Sequence, residues 1–274
     1  IANRHATITF NEPFGSDFEL DNVEAMLNAP KGRTRFEKLI IEPRMTMLAQ
    51  EIDSVCAQYA YQNAASVVGA LGTNPSTYDS TSGAARQIMA ELACPESGDR
   101  ALLVPPSVMR SVKASNIALH NPVADLSQQM RTGIIQQADN FDWYESMSLY
   151  RHTAGTWAGA VTVTTAPVDG ATTLAVTCTT GDTFKKGDKF SIASVLPVHP
   201  QTRRTFGATT KTFTITAAAT GAGSAATLAI SPAIYGPGSA FQNVDALPAA
   251  SAALTLWPGT TSPSANATEN SALR

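Results

Sequence analysis

Apolar and polar positions follow a helical period in the first part of this chain and a strand period in the second. From Pro43, a residue suited to a first helical turn, Leu48, Ile52, Val55 and Tyr59 recur at i, i+4, i+7 and i+11. That stripe, with Gln50, Asp53 and Gln58 opposite, predicts a helix running to about Ala65 and packed by its apolar face on a sheet. A second helix is expected after Thr81 and Ser82, with Ala85, Ile88, Met89 and Leu92 on one face and a stop at Pro95. The run from Arg100 to Val104 has the length of a buried strand, and a third helix starts at Pro106. His5–Phe10 reads as a strand, Leu20–Asn28 as a short helix with Asp21 near its N-cap, and Asn121–Arg131 as another helical stretch. Helix, strand and helix in close succession imply a layered α+β core.

Near residue 158 the material changes. Of the 41 charged residues, 29 lie in residues 1–159 (12 basic, 17 acidic) and 12 in residues 160–274 (7 basic, 5 acidic). Thr runs the other way, with 24 of 32 after residue 150, in stretches such as Val161–Thr165 and Lys211–Thr216. β-Branched alternation punctuated by Gly and Pro marks short half-buried strands, so the second part is expected to be a small all-β unit.

Composition then narrows the classes. With 43% hydrophobic residues and a low charged fraction of 15%, the chain is not of the disordered type. Its apolar runs fall far short of the roughly 18 residues of a membrane span. A net charge of −3 argues against a dedicated nucleic-acid binder, which needs a clustered basic face. Cys56, Cys94 and Cys178 lack disulfide-framework or zinc spacing and read as indifferent thiols. The length fits one to two domains, and the start at Ile1-Ala2-Asn3-Arg4 is expected to belong to an internal fragment.

Signals for chemistry are missing. There is no Gly-x-Ser-x-Gly elbow or phosphate-binding loop, and His5, His120, His152 and His199 sit in unrelated contexts. The Gly221–Ala226 stretch lies between two strand-like runs, so it reads as a hairpin turn and not as a dinucleotide loop. Asp182 and Asp188 flank Lys185 and Lys186, whose charges oppose a bound cation, and a charged turn between strands is the reading adopted. The Asn266–Thr268 sequon is treated as chance. Arg203 and Arg204, with Lys211, form the one basic cluster of the β part; the loop could hold a partner's carboxylates or be simply solvated. No catalytic, cofactor-binding or metal-binding residues are expected.

Two stretches carry a family resemblance. Phe141–Thr156 contains Phe141-Asp142-Trp143-Tyr144 followed by His152-Thr153-Ala154-Gly155, and it resembles a segment of the major capsid (coat) proteins of short-tailed bacteriophages. Lys186-Gly187-Asp188-Lys189, with Phe190–Val195, then Val198–Thr202 and Thr212–Thr216, resembles the β-barrel inserted in those proteins. The resemblance implies an α+β subunit of the HK97-like capsid fold. Residues 1–76 would form the peripheral domain, with a spine helix at about 43–65, and residues 77–157 the first part of the axial domain. Residues 158–257 would be the inserted β-barrel, and 258–274 a return towards the axial domain that looks truncated. Six barrel strands are expected: Ala160–Thr164, Thr173–Cys178, Asp188–Val195, Lys211–Ala217, Ala226–Ser231 and Ala252–Trp257. Leu174, Val176 and Cys178 should point inward, as should Phe190, Ile192, Phe213, Ile215, Leu228, Ile230, Leu254 and Leu256, as a filled small barrel needs.

The implied function is a structural, non-enzymatic shell protein that self-assembles into an icosahedral phage head enclosing double-stranded DNA. Its implied partners are copies of itself in hexamers and pentamers, scaffolding and portal proteins, and DNA held without sequence-specific contacts. Its implied place is the virion, after assembly in the bacterial cytoplasm, with no membrane. The first loop of the barrel, long and acidic in some relatives, is here only Ala166–Gly170. Candidate subunit-contact residues are therefore Arg203, Arg204, Lys211, Asp169, Lys185 and Lys186. An encapsulin-like compartment shell, which lacks such an insert, and a secreted glycan-binding module are the alternatives.

Overall fold

The structure is a computed structural model that describes residues 15, 37–68, 75–96, 100–115, 133, 135, 137–205, 209–256 and 268–270. The expected elements at His5–Phe10, Leu20–Asn28 and Asn121–Arg131, and the residue Trp257, lie outside the described residues. The chain divides into two compact units, Ile1–Cys56 and Ala57–Arg274. In the first, a π-type turn, Glu37–Ile41, runs into helix α1, Glu42–Asn63, whose final two turns belong to the second unit. The helix matches the expected span, but its stripe is not a packed face. Ile52 and Tyr59 are 41% and 67% exposed, and Tyr61 is the buried residue of the helix.

In the second unit, a π-type turn at Asp79–Gly83 leads into helix α2, Ala84–Glu91. The Arg100 guanidinium then clasps the turn that follows, donating to the carbonyls of Cys94 and Pro95 at 3.2 and 2.8 Å. Strand β1, Ala101–Val104, is followed by helix α3, Pro106–Ser115, and by the hairpin of β2, Gln137–Ala138, and β3, Phe141–Glu145. β1 and β3 pair in parallel, Leu102 opposite Trp143, in a sheet of order β1-β3-β2. The hairpin turns at Asp139 and Asn140, both at positive φ, which Asp and Asn tolerate. Leu102, Val104, Val108, Met109, Val112, Ile135, Phe141 and Trp143 form the core of this part, with Ala85 and Met89 of α2 packed on it.

Strand β4, Arg151–Thr153, leads to the barrel. The barrel is closed in the order β11-β6-β5-β12-β8-β9. Its strands are β5, Val161–Val163; β6, Ala171–Thr177; β8, Lys189–Ile192; β9, Thr212–Ile215; β11, Ala225–Ile234; and β12, Ala253–Leu256. These are the six strands the alternation predicts. Each inward residue named from the sequence is buried, from Leu174 and Phe190 at 0% exposure to Leu254 at 8%. A two-residue ribbon, β7 (Thr183–Phe184) with β10 (Ala219–Thr220), lies outside the six. The Gly221–Ala226 stretch is a turn, with Gly223 and Ser224 at φ +56° and +67° and Ala222 bridged to Ala225. After the barrel, β13, Thr268–Asn270, pairs antiparallel with β4. In chain order the barrel is thus inserted between two paired strands.

Candidate functional site

The residues that fasten the barrel to the elements around it are polar and buried. Strand β8 shows why: alternation would send Lys189 and Ser191 outward to water, yet all four of its residues are buried. Lys189 is 1% exposed, and its Nζ donates to the Tyr61 carbonyl at 2.9 Å, to Thr214 Oγ1 at 2.7 Å and to the Ala64 carbonyl. Thr214 Oγ1 donates in turn to the Ala64 carbonyl at 2.7 Å. The last carbonyls of a helix have no partner within it and carry the negative end of its dipole. A barrel lysine therefore supplies the C-terminal cap of α1, with its ammonium also 5.2 Å from the Tyr61 ring centroid.

Asp188, one residue earlier, grips the strand entering the barrel. His152 Nε2 donates to Asp188 Oδ1 at 2.6 Å, and the amides of Lys185 and Gly155 donate to Oδ2 at 2.7 and 3.2 Å. Both side chains are buried, and the Tyr61 and Tyr150 rings stand 4.9 and 6.2 Å from the imidazole. The carboxylate fixes the proton on Nε2, leaving Nδ1 without a hydrogen-bond partner. Two glycines make the close approach feasible. A Cβ on Gly155 would lie 2.0 Å from the Thr183 carbonyl oxygen; one on Gly187, at φ +98°, would lie 3.1 Å from the Tyr61 ring. The His-Thr-Ala-Gly and Lys-Gly-Asp-Lys stretches, 36 residues apart between His152 and Asp188, thus meet as one latch.

Asp182 plays a parallel part, accepting from the amides of Ala158 and Thr179 at 2.9 and 2.8 Å. The expected charged turn is therefore divided: Lys185 and Lys186 are exposed, while both carboxylates are buried amide acceptors. Among the described residues, no group of His, Cys, Asp and Glu is placed to hold a metal ion. Burial, with the Asp182 carboxylate adding to it, raises the Cys178 thiol above its usual range.

Of the contact candidates, Asp169 is exposed in the β5–β6 loop, where its Oδ1 accepts from the Gly236 amide at 2.7 Å. Arg203 and Arg204 are exposed in a tight loop, and Arg203 Nη2 donates to the Ala240 carbonyl at 3.2 Å. The structure thus brings Asp169 and Arg203 to the same connection between β11 and β12. Lys211 is drawn elsewhere, into a groove lined by Val67, Ile88, Leu92 and Pro197, and burial lowers its ammonium below the ordinary lysine value. Sequence reasoning missed Lys189 and His152 as a capping cation and a buried partner. Their signal was present only in the two family-like motifs.

Comparison with known proteins gives the chain's family. A family model described as P22 coat protein, gene protein 5, matches residues 18–267, a span that holds the α+β part and the barrel. The class so defined is a structural protein of the phage capsid. The chain belongs to the P22 coat protein family. No curated protein matches it. Among solved structures, the CUS-3 coat protein I-domain is similar at 29% identity over 37% of this chain and 97% of that one, with a TM-score of 0.27.

Proposed function

We propose that this chain is the shell subunit of an icosahedral phage head of the HK97-like type. In this reading residues 1–76 are the peripheral domain with α1 as spine helix, and residues 77–157 the first part of the axial domain. Residues 158–257 are the inserted barrel, and 258–274 return to the axial part. The observation that carries the reading is the latch: a closed barrel, set between paired β4 and β13, caps α1 with Lys189 and holds its own entry strand with Asp188. Such a joint ties the barrel to the helix end and to the strands that flank it, which suits a structural subunit.

The subunit joins copies of itself in hexamers and pentamers, uses scaffolding and portal proteins during assembly in the host cytoplasm, and encloses double-stranded DNA without base readout. Asp169, Lys185, Lys186, Arg203, Arg204 and Lys211 serve contacts between copies. Their support is exposure at five of the six and the poverty of charge around them. Expression of the full-length chain with its scaffolding partner, followed by electron microscopy, tests the reading. Closed shells of uniform diameter are expected; a chain that stays monomeric with that partner present would overturn it.

A further inference from the structure

Two apolar features of the second unit stand open, and they differ in shape. One is a knob. Met147, just past β3, is 82% exposed, more than any other large apolar side chain among the described residues. Leu103 and Tyr144 face each other in the β1–β3 register, and alternation puts them on the side of the sheet turned from its core, where both are exposed. Glu145, next to Tyr144, is exposed as well and pairs with no cation among the described residues. An apolar surface of this kind with a carboxylate at its edge marks a place of contact.

The other is a socket. Between α2 and the barrel, Val67, Ile88, Leu92 and Pro197 wall a groove of about 100 Å³. A cavity of roughly 150 Å³ takes benzene, so this groove has room for one aliphatic side chain and not for a cofactor. Lys211 also lines it, and no carboxylate of the described residues comes within ion-pair distance of its ammonium, which burial pushes below the ordinary lysine value. Glu91, on the same wall, is engaged within its own helix, where Oε1 accepts from Gln87 Nε2 at 2.8 Å. A desolvated cation without a partner is costly, so the socket favours an aliphatic group that brings a carboxylate with it. Both features are ordered in advance, which lowers the entropy lost on association. The Ser146 amide donates to the Val104 carbonyl at 3.1 Å, the Ser148 amide to Ser146 Oγ at 3.2 Å, and the Lys211 amide to the Val195 carbonyl at 2.9 Å.

Size and charge choose the occupant. The Phe241 ring is exposed but too broad for the groove, and Leu247 already lies against Gly236. Val168 is short and β-branched, and the carboxylate beside it, Asp169, has its Oδ1 taken by the Gly236 amide at 2.7 Å. Met147 is unbranched and adapts to irregular gaps, and the carboxylate just before it is uncommitted. We infer that Met147 of one copy fills the groove of the next copy, with Glu145 set against Lys211. Knob and socket are different surfaces, so the contact is heterologous: each copy gives one and receives one, and copies join head to tail into a ring. The inference rests on the coat-subunit reading and adds one contact within its rings.

The test uses full-length protein assembled with its scaffolding partner. In a C56S/C94S background, Met147→Cys and Thr210→Cys in one chain place a thiol on the knob and another on the groove wall. Under mild oxidation, shells of this double variant should yield covalent trimers and larger species on a non-reducing gel, and shells carrying either cysteine alone should not. Double-variant shells that give monomers, or stop at the dimer, would overturn the contact and leave the coat reading intact; failure of the unaltered chain to form shells overturns both. Separately, Met147→Ser should leave the urea midpoint of the unassembled chain unchanged and lower shell yield about tenfold. Glu145→Lys and Lys211→Glu should each lower the yield by a similar factor, and the combined variant should regain most of it. Single variants that assemble normally, or a combined variant that is not rescued while it unfolds like the original, also overturn it.

Discussion

At the scale of the residue, the chain's few charges do two kinds of work, and their burial tells them apart. Asp188 neutralises three donors in a dry junction, and removing one partner of such a set strands the others. Asp188→Ala should therefore cost about 3–5 kcal/mol in urea unfolding, whereas Lys186→Ala, at an exposed position, should stay within about 0.5 kcal/mol. Lys211 is the opposite case, a cation whose burial in a groove walled by Val67, Ile88, Leu92, Pro197 and Glu91 lowers its ammonium below the ordinary lysine value. Its folded value lies below the unfolded one, so between the two the unfolded chain holds more protons and stability rises with pH. The desolvation cost is fully present below the folded value. Lys211→Met should raise the urea midpoint at neutral pH and abolish the part of the rise towards the ordinary lysine value that the unaltered chain shows. Parallel pH curves for the two proteins would sink this account. None of this was legible from the sequence, where Asp182 and Asp188 read as turn residues. Which carboxylate is buried depends on a partner brought from 36 residues away.

At the scale of the element, legibility followed the strength of the local pattern. The six barrel strands alternate cleanly, and their interior residues were identified because a strand with one buried face needs a period of two. The β7–β10 ribbon escaped because two residues on each strand carry no period. Strand β8 broke the rule in an informative way: its outward Lys189 is buried because the end of α1 lies over it, and Ser191 is buried beside it. The junction glycines make a sharper test. Gly155→Ala would drive a methyl into the Thr183 carbonyl, so it should destabilise the protein by about 1–3 kcal/mol or more and shift the β4 segment, seen as faster amide exchange at Thr153 and Thr156. Helix α1 shows the reverse error. Its apolar stripe was correctly found and wrongly covered, since periodicity gives a face but not its partner. Tyr59→Ser should change the stability of the unassembled chain by less than about 0.5 kcal/mol, because the ring is 67% exposed. If that ring serves subunit contact, the same change will lower shell yield; an equal loss in unfolding and assembly would mean it is packed within the chain.

At the scale of the whole molecule, the question is whether the barrel is a separate body or part of the frame that carries it. Its interior is complete within residues 157–256, with Trp157, Phe184, Phe190, Phe213 and Val244 in one continuous core. Chain closure into a barrel also removes the open edges that would otherwise need neighbours. A fragment spanning residues 154–257 should therefore unfold cooperatively. What the fragment lacks is the end of α1, and Lys189 discriminates between the two descriptions. In the full chain, Lys189→Met leaves the buried Tyr61 carbonyl without this donor, a loss of about 1–3 kcal/mol. In the fragment those carbonyls are gone and Lys189 faces water, so the same change should be neutral within about 0.5 kcal/mol. The difference between the two costs, read from urea midpoints at equal slope, is the coupling between barrel and helix cap. A cost that is the same in both would place the lysine's work inside the barrel, through Thr214, and would remove the latch as the reason the two parts hold together.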